Sequence, residues 1–243
     1  MYRILLLLIV PFFAISADTL TIMSGIHKPP YVIQDKESGF EIELVRMIVK
    51  EMGKTAVFHY VNYGRASKML YMNDVDGVMS TNDKVFSDRS VLTHPYIQYQ
   101  NVAVSLAENN FKVDTISDLS THSIASFQLA HKVLGTEFNE AAMSSPMFVQ
   151  MSDQSKQPEM LFRKRIDFVV MERQIFYTLA EQSEWSRELD KVRIHSVFPV
   201  SDYSMAFKEV KNVALFNTAL KVVLKSKQYE QLKRKYGFHS NLY

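Results

Sequence analysis

The residue types that carry enzyme chemistry are present in this chain, but they form no catalytic or metal-binding pattern. The seven histidines are scattered, and His122, His131 and His195 lack the i,i+4 pairing or flanking carboxylates of a metal site. We find no Gly-x-Ser-x-Gly turn, no Ser/His/Asp order with supporting context and no phosphate-binding Gly-x-x-x-x-Gly-Lys-Ser/Thr loop. The sequence therefore favours binding over catalysis, and we expect neither a metal ion nor another cofactor.

One carboxylate has a position suited to ligand binding. Glu172 directly follows the strand-like run 167–171 and precedes a helical pattern. In an open α/β sheet, binding groups gather at the carboxyl ends of the strands. Alternatively, Glu172 only stabilises the N-terminus of the following helix, where the helix dipole favours a negative charge. The residues alone leave both interpretations open.

The elements that must position such groups alternate between strand-like and helix-like runs. Apolar spacing predicts helices over 40–52, 65–72, 132–142, 157–165, 174–185, 213–225 and 228–236. Short β-branched or aromatic runs predict strands over 20–23, 54–61, 77–80, 101–106, 122–127, 147–151, 167–171, 192–198 and 203–207. Because the rhythm restarts near residue 122, we expect two successive α/β modules with mostly parallel sheets flanked by helices.

The composition is that of an ordinary folded protein and excludes one class of partner. The 243 residues are 47% hydrophobic and 22% charged and include no cysteine. With 28 Lys and Arg residues against 26 Asp and Glu residues, no excess of positive charge is available for a run of phosphates. We therefore do not expect a nucleic acid partner.

Residues 1–17 have the three parts of a secretory signal: a basic start, an apolar run over 4–13 and a small-residue patch. The apolar run is too short to span a bilayer, so we predict cleavage, with Ser16 or Ala17 as the last residue removed. A chain without cysteine suits an oxidising compartment. The prediction is a soluble exported protein, most simply in a bacterial periplasm.

Six motifs occur in the order found in a known family. They are KPPYVIQDKESGFEIELVRMIVKEMG, NYGRASKMLYMNDVDGVMST, THPYIQYQNVAVS, ISDLSTHSIAS, RIDFVVMERQ and the stretch from SDYSMAFKEV to KSKQYEQLKRKYG. With these motifs the chain resembles the two-lobed periplasmic solute-binding proteins of the amino-acid type, family 3. The resemblance covers essentially the whole chain after residue 17.

The resemblance implies an α/β fold of the type II periplasmic-binding-protein-like class, with two lobes that each contain a mostly parallel sheet flanked by helices. It places lobe 1 at 18–104 and 200–243 and lobe 2 at 105–199, joined by crossover strands near 102–106 and 195–203. One small ligand would bind in the cleft. Groups from both lobes touch such a ligand only when the cleft is closed, so binding would stabilise closure.

The resemblance also implies which residues of lobe 1 bind the ligand. Where the family has Thr-x-x-Arg as its carboxylate anchor, this chain has Lys84 three residues after Thr81. Lysine offers a point charge in place of the bidentate arginine fork. Ser80 and Thr81 are expected hydroxyl donors, and Arg65 and Arg89 are the alternative anchors.

Further ligand contacts are implied on both sides of the cleft. Tyr31 follows the Pro-Pro pair, with a place in the core as the alternative, and Lys28 stands where the family usually has a stacking aromatic residue. His27 is a substitute ring. In lobe 2, Gln128 lies near the family's Gly-Thr, and Glu172 stands where an aspartate usually accepts the ligand's ammonium group.

The expected function is periplasmic binding of a small polar solute, an amino acid or a related zwitterion or anion. The expected partner is an ABC importer permease or a membrane sensor, and the expected state is a monomer. One alternative is a lyase similar to cyclohexadienyl dehydratase, with Glu172 as the acid. The other is a binding fold that has lost its ligand and serves as an interaction module.

Overall fold

The computed structural model describes residues 18–238, so the predicted signal segment 1–17 lies outside the described residues. The strands are β1 Thr19–Gly25, β2 Thr55–Val61, β3 Gly77–Thr81, β4 Ile97–Tyr99, β5 Asn101–Leu106, β6 Ile124–Phe127, β7 Phe148–Met151, β8 Phe168–Glu172, β9 Val192–His195 and β10 Ser201–Phe207. The α-helices are α1 Phe40–Glu51, α2 Tyr63–Met69, α3 Ala130–Val133, α4 Thr136–Ser144, α5 Lys156–Phe162, α6 Arg173–Glu181, α7 Val210–Val223 and α8 Lys227–Lys235. Within 18–238, no helix has the length and hydropathy needed to cross a bilayer.

The strands form two five-stranded sheets, one for each lobe. Their orders are β2-β1-β3-β10-β4 in the first lobe and β7-β6-β8-β5-β9 in the second. In the first sheet β1 runs parallel to β2 and β3, whereas β10 runs antiparallel to β3 and β4. In the second sheet β6 runs parallel to β7 and β8, whereas β5 runs antiparallel to β8 and β9. The two-lobed α/β architecture is confirmed. Both sheets are mixed rather than mostly parallel, because β5 and β10, which each directly follow a crossing, are antiparallel to the strands on either side of them.

The chain passes between the lobes twice, through two short segments. Tyr99 ends a strand of the first sheet and Asn101 begins a strand of the second, so Gln100 alone makes the first crossing. This lies earlier than the boundary expected after residue 104, because 101–104 already pair with β8. The return crossing is 196–200, between β9 and β10. The Gln100 side-chain amide donates a hydrogen bond to the Phe198 carbonyl at 2.9 Å, which joins the two crossings.

Helix α1 supplies the central packing face of the first lobe. The apolar positions predicted to share one face, Ile42, Leu44, Val45, Ile48 and Val49, are all buried, which confirms that prediction. This face packs against α7 and α8. Burying each such side chain contributes roughly 1.5–3 kcal/mol, so α1 is held in place mainly by packing.

The predicted helix over 132–142 is wrong in one respect, because the structure has two helices there. Helix α3 ends at Val133 and α4 begins at Thr136. Gly135 separates them with φ +97°, a left-handed value that interrupts a right-handed helix. Strand β4 was not predicted, since three residues are too few for a clear alternation.

Gly39 lets the loop before α1 approach the helix closely. Its φ is +120°, and an added Cβ would lie 2.3 Å from the Tyr31 carbonyl oxygen. The first turn of α1 is tied to that loop, because the Glu41 amide donates to the same oxygen at 3.1 Å. This contact fixes where the Glu41 side chain begins.

We expect Gly39→Ala to destabilise the protein by roughly 2–4 kcal/mol, since it combines left-handed strain with a clash against backbone. Urea unfolding measures the change. Gly53→Ala is the matched control, because Gly53 also has a positive φ but an added Cβ there meets nothing within 4 Å. The control is expected to cost about 1 kcal/mol. Equal costs for the two variants would contradict the clash.

Candidate functional site

A cavity of about 580 Å³, part of it open to solvent, lies between the two lobes. It lies beside the carboxyl ends of β3, β6 and β8 and the first crossing, where the strands of both sheets bring polar side chains together. The first lobe contributes Gly25, Ile26, Lys28, Tyr63, Ser80, Tyr99 and Tyr203, and the second lobe contributes Asn101, Phe127, Gln128, Met151, Ser152, Gln154, Glu172 and Ile175.

We call the side of the cavity that the first lobe forms the first-lobe wall. A closed hydrogen-bond network, the Lys28–Glu41 cluster, lies at and behind this wall and is made of Lys28, Glu41, Ser80, Tyr96 and Tyr99. The Lys28 ammonium donates to Glu41 Oε2 at 2.9 Å, to Ser80 Oγ at 2.7 Å and to the Tyr99 hydroxyl at 2.8 Å. The Ser80 hydroxyl donates to Glu41 Oε1 at 2.6 Å and the Tyr99 hydroxyl to Glu41 Oε2 at 2.6 Å. The Tyr96 hydroxyl also donates to Glu41 Oε1.

Glu41 is fully buried and yet stays ionised. Burial by itself raises the pKa of this carboxyl, but the Lys28 ammonium and the hydroxyl groups of Ser80, Tyr96 and Tyr99 outweigh burial and hold the pKa below its ordinary value. A buried carboxylate is tolerated only when it is paired and hydrogen-bonded in this way. The cluster is therefore a neutral, internally satisfied unit.

The backbone at Ser80 has an unusual conformation that serves this cluster. Ser80 has φ +56°, in the left-handed region that residues other than glycine rarely adopt. Its amide donates to the Tyr96 hydroxyl at 3.0 Å, and its carbonyl accepts from the Tyr63 hydroxyl at 2.6 Å. These bonds hold a strained, left-handed residue inside β3, where the pairing with β10 is irregular, and the Ser80 hydroxyl donates to Glu41.

Glu172 lines the cavity from the second lobe, and its pKa is shifted in the direction opposite to that of Glu41. It caps α6, where one carboxylate oxygen accepts from the Ile175 amide at 2.9 Å. It also accepts a hydrogen bond from the Tyr31 hydroxyl of the first lobe. Burial dominates over these hydrogen bonds and raises the pKa of Glu172 from 4.5 to about 7. Glu172 therefore caps a helix, as one sequence-based interpretation expected, and also lines the cavity, while its binding of a ligand stays a prediction.

Two further hydrogen bonds connect the lobes directly. The Gly64 amide at the start of α2 donates to the side-chain oxygen of Gln128 at 3.1 Å. The Lys84 ammonium donates to the Val133 carbonyl at 2.9 Å, at the end of α3 where carbonyl groups attract a cation. The lobes are thus in direct contact at two further places.

The sequence profile of the bacterial extracellular solute-binding proteins, family 3, matches residues 20–239. The chain belongs to this family. No curated relative matches the chain by sequence.

Solved structures show the same fold at low sequence identity. A histidine kinase sensor domain with similarity to periplasmic binding proteins has a TM-score of 0.75 and 18% identity, over 90% of this chain and 96% of that one. An ancestral arginine-binding protein bound to arginine has a TM-score of 0.73 and 20% identity, over 90% and 97%. The ancestral amino acid-binding protein AncCDT-1, a precursor of cyclohexadienyl dehydratase, has a TM-score of 0.70 and 17% identity, over 90% and 90%.

In this family 3 solute-binding protein, half of the eight expected ligand residues line the cavity. They are Lys28, Ser80, Gln128 and Glu172, and Phe127 lies with them. The structure brings these residues together from segments far apart in the chain.

The other expected residues lie elsewhere. Tyr31 is buried behind the wall, with its ring 4.4 Å from that of Tyr99, and Thr81 is fully buried. Arg65 lies on a separate groove beside α2, Lys84 is bound to the second lobe, and Arg89 pairs with an aspartate on the surface. His27 is half-buried and does not line the cavity.

The sequence analysis did not predict several residues that line the cavity, nor the Glu41 carboxylate buried behind it. Tyr99 and Asn101 flank the first crossing, and Tyr203 follows the second. Residues beside a lobe crossing necessarily lie near the cleft, so that signal was available. Glu41 and Gln154 carry no such signal, because their positions at or behind the cavity depend on contacts between segments that are distant in the sequence.

Among residues 18–238, no group of three or more His, Cys, Asp or Glu side chains is arranged to hold a metal ion. The arrangement is suited to holding a solute through hydrogen bonds from both lobes.

The raised pKa of Glu172 predicts a pH effect on stability. The folded protein binds this proton more tightly than the unfolded chain, so the contribution of Glu172 to stability is full below pH 4.5 and is lost as pH rises through about 7. Glu172→Gln removes the titration. We expect the variant's unfolding free energy to rise relative to wild type between pH 5 and 8, by at most about 3 kcal/mol.

Urea unfolding at several pH values measures this difference. Glu140→Gln, at an exposed position of α4, is the control and should show no such trend. A difference for Glu172→Gln that stays constant over this pH range would contradict the raised pKa.

Proposed function

We propose that this protein binds a small zwitterionic solute of the amino-acid type between its lobes and presents it to an importer permease or a membrane sensor. The observation that carries the proposal is a cavity lined by polar groups of both lobes. A solute that contacts both lobes stabilises their closed arrangement by its differential affinity, and a partner can read closure as occupancy. The proposal includes export to the periplasm through the segment 1–17 and action as a monomer.

The second lobe supplies acceptors for an ammonium group. The Glu172 carboxyl lines the cavity, and the Gln154 side-chain oxygen is buried there without a hydrogen-bond partner among the described residues. A buried acceptor without a partner costs about 1–3 kcal/mol, which a ligand N–H group would recover. These two groups favour a solute that donates hydrogen bonds.

The described cavity wall contains no arginine. A ligand carboxylate would therefore meet neutral donors such as the Gln128 amide rather than a guanidinium fork. Two solved structures with this fold are an ancestral arginine-binding protein bound to arginine and an ancestral amino acid-binding protein, which supports an amino-acid-like ligand class here.

A lyase activity is the second candidate, and the raised pKa of Glu172 is the observation that favours it. A carboxyl group with a pKa of about 7 can donate a proton near neutral pH.

A serine nucleophile activated by a lysine base is not present at this cavity. Lys28 Nζ lies 2.7 Å from Ser80 Oγ, but the two side chains do not form a nucleophile and base pair. Lys28 is an ammonium in a salt bridge with Glu41, so it has no lone pair to accept the Ser80 proton.

Thermal unfolding with a panel of amino acids, organic acids and polyamines tests the proposal. A ligand at 100 times its Kd adds about 2.7 kcal/mol of stability, which raises Tm by roughly 5–10 °C for a chain of this size. We expect a shift with at least one amino acid. No shift with any compound would favour the interaction module, and turnover of prephenate or arogenate would favour the lyase.

The affinity for an ammonium-bearing ligand should depend on pH through Glu172. Below about pH 7 the carboxyl is protonated, and binding an ammonium group requires that proton to leave. We expect affinity to fall by up to about tenfold for each pH unit below 7 and to level off above it. Calorimetric titration from pH 5.5 to 8 measures this, and Glu172→Gln should bind weakly with no pH dependence. A flat wild-type profile would show that Glu172 does not hold the ammonium group.

A further inference from the structure

Lys28 is part of the cavity wall but has no hydrogen bond left for a ligand. An ammonium group has three N–H donors. All three are used, by Glu41 at 2.9 Å, by Ser80 at 2.7 Å and by Tyr99 at 2.8 Å. Lys28 therefore contributes volume and charge to the wall rather than an anchor for a carboxylate.

Lys28 also separates Glu41 from the cavity. Lys28, Ser80 and Tyr99 line the cavity, whereas Glu41 does not and has no exposed surface. The hydroxyl groups of Ser80 and Tyr99 both donate to Glu41. Without the Lys28 ammonium, the Glu41 carboxyl would lie behind the wall with no cation to pair with, and burial would favour its protonated form until a ligand cation approached.

The cavity is lined by few charged side chains. Among the described lining residues, Glu172 is the only acidic one and Lys28 the only basic one. A solute with one ammonium group can use Glu172. A second cationic group near the first-lobe wall would meet the Lys28 ammonium before the Glu41 carboxylate that lies behind it, and like charges at such short range repel.

We infer that Lys28 sets the charge specificity of the cavity: it excludes solutes with a second cationic group, and its removal converts Glu41 into an acceptor for such a group. This inference rests on the proposed binding of amino-acid-type solutes. It names their class as those with a neutral side chain. It also assigns Lys28 and Glu41 a joint role as a specificity determinant.

Two matched ligand pairs test the inference on the wild-type protein. Arginine and citrulline have nearly the same shape and differ in side-chain charge, and norleucine has the carbon chain of lysine without its terminal ammonium group. Calorimetric titration should give the neutral member of at least one pair an affinity roughly tenfold or more above that of its cationic partner. Equal or tighter binding of the cationic member in both pairs would overturn the inference.

Two variants separate the contributions of Lys28 and Glu41. Lys28→Met keeps a chain of similar length without the charge, and we expect it to favour arginine over citrulline by roughly tenfold or more. Lys28→Met/Glu41→Gln removes both charges and is the control, with no preference within either pair. A Lys28→Met protein that keeps the wild-type ratio would overturn the inference.

The outcomes distinguish this inference from the proposed function. If wild type binds no amino acid at all, the proposed function fails. The inference is then judged on Lys28→Met, where a gain of arginine binding supports it and no gain overturns it. Because the single variant leaves Glu41 without its cation, near-UV circular dichroism must first show a folded protein. If it does not, the wild-type pairs alone decide.

Discussion

A carboxylate without access to water lies behind the cavity between the lobes, and much of the first lobe is arranged to keep it charged. An uncompensated buried charge would cost many kcal/mol, so each partner of Glu41 is a structural requirement. The four partners, Lys28, Ser80, Tyr96 and Tyr99, come from three separate segments of the chain. Meeting all of these bonds at once fixes the loop before α1, the end of β3 and strand β4 relative to one another. The first lobe's wall is therefore rigid before any solute arrives.

The second-lobe side of the cavity also contains a buried glutamate, Glu172, but its pKa is shifted in the other direction. Burial affects both glutamates, but Glu41 is compensated by a cation and three hydroxyl groups, whereas Glu172 receives only neutral donors. One pKa is therefore displaced downward and the other upward, as is common where a site assigns different tasks to two carboxyl groups. The cavity therefore has one wall in which the charges are paired and one wall whose carboxyl group gains or loses a proton near neutral pH. The lobe contacts of Gln128 and Lys84 hold these unlike walls together.

The sequence predicts the fold well, because apolar periodicity and the order of motifs reflect the core directly, as the buried face of α1 shows. It also predicts that Ser80, Gln128 and Glu172 border the cavity, since they lie at or just after the ends of strands that meet at one edge. It does not predict where long side chains end. Lys84 follows β3 as expected, but it reaches the carbonyl at the end of α3. Glu41 lies in an amphipathic helix at a position that periodicity alone does not single out, so its burial depends on contacts between distant segments.

The order of strands in the first sheet has a consequence for how the polypeptide is completed. Strand β10 lies between β3 and β4, although it follows them by about a hundred residues in the chain. A nascent or truncated polypeptide that stops before Ser201 would contain every strand of the second sheet but would leave β3 and β4 without the strand that joins them. The second lobe is one continuous insert, and the first is finished only by the C-terminal region. Because the chain is made from its N-terminus, the strand that completes the first lobe is therefore the last one to become available.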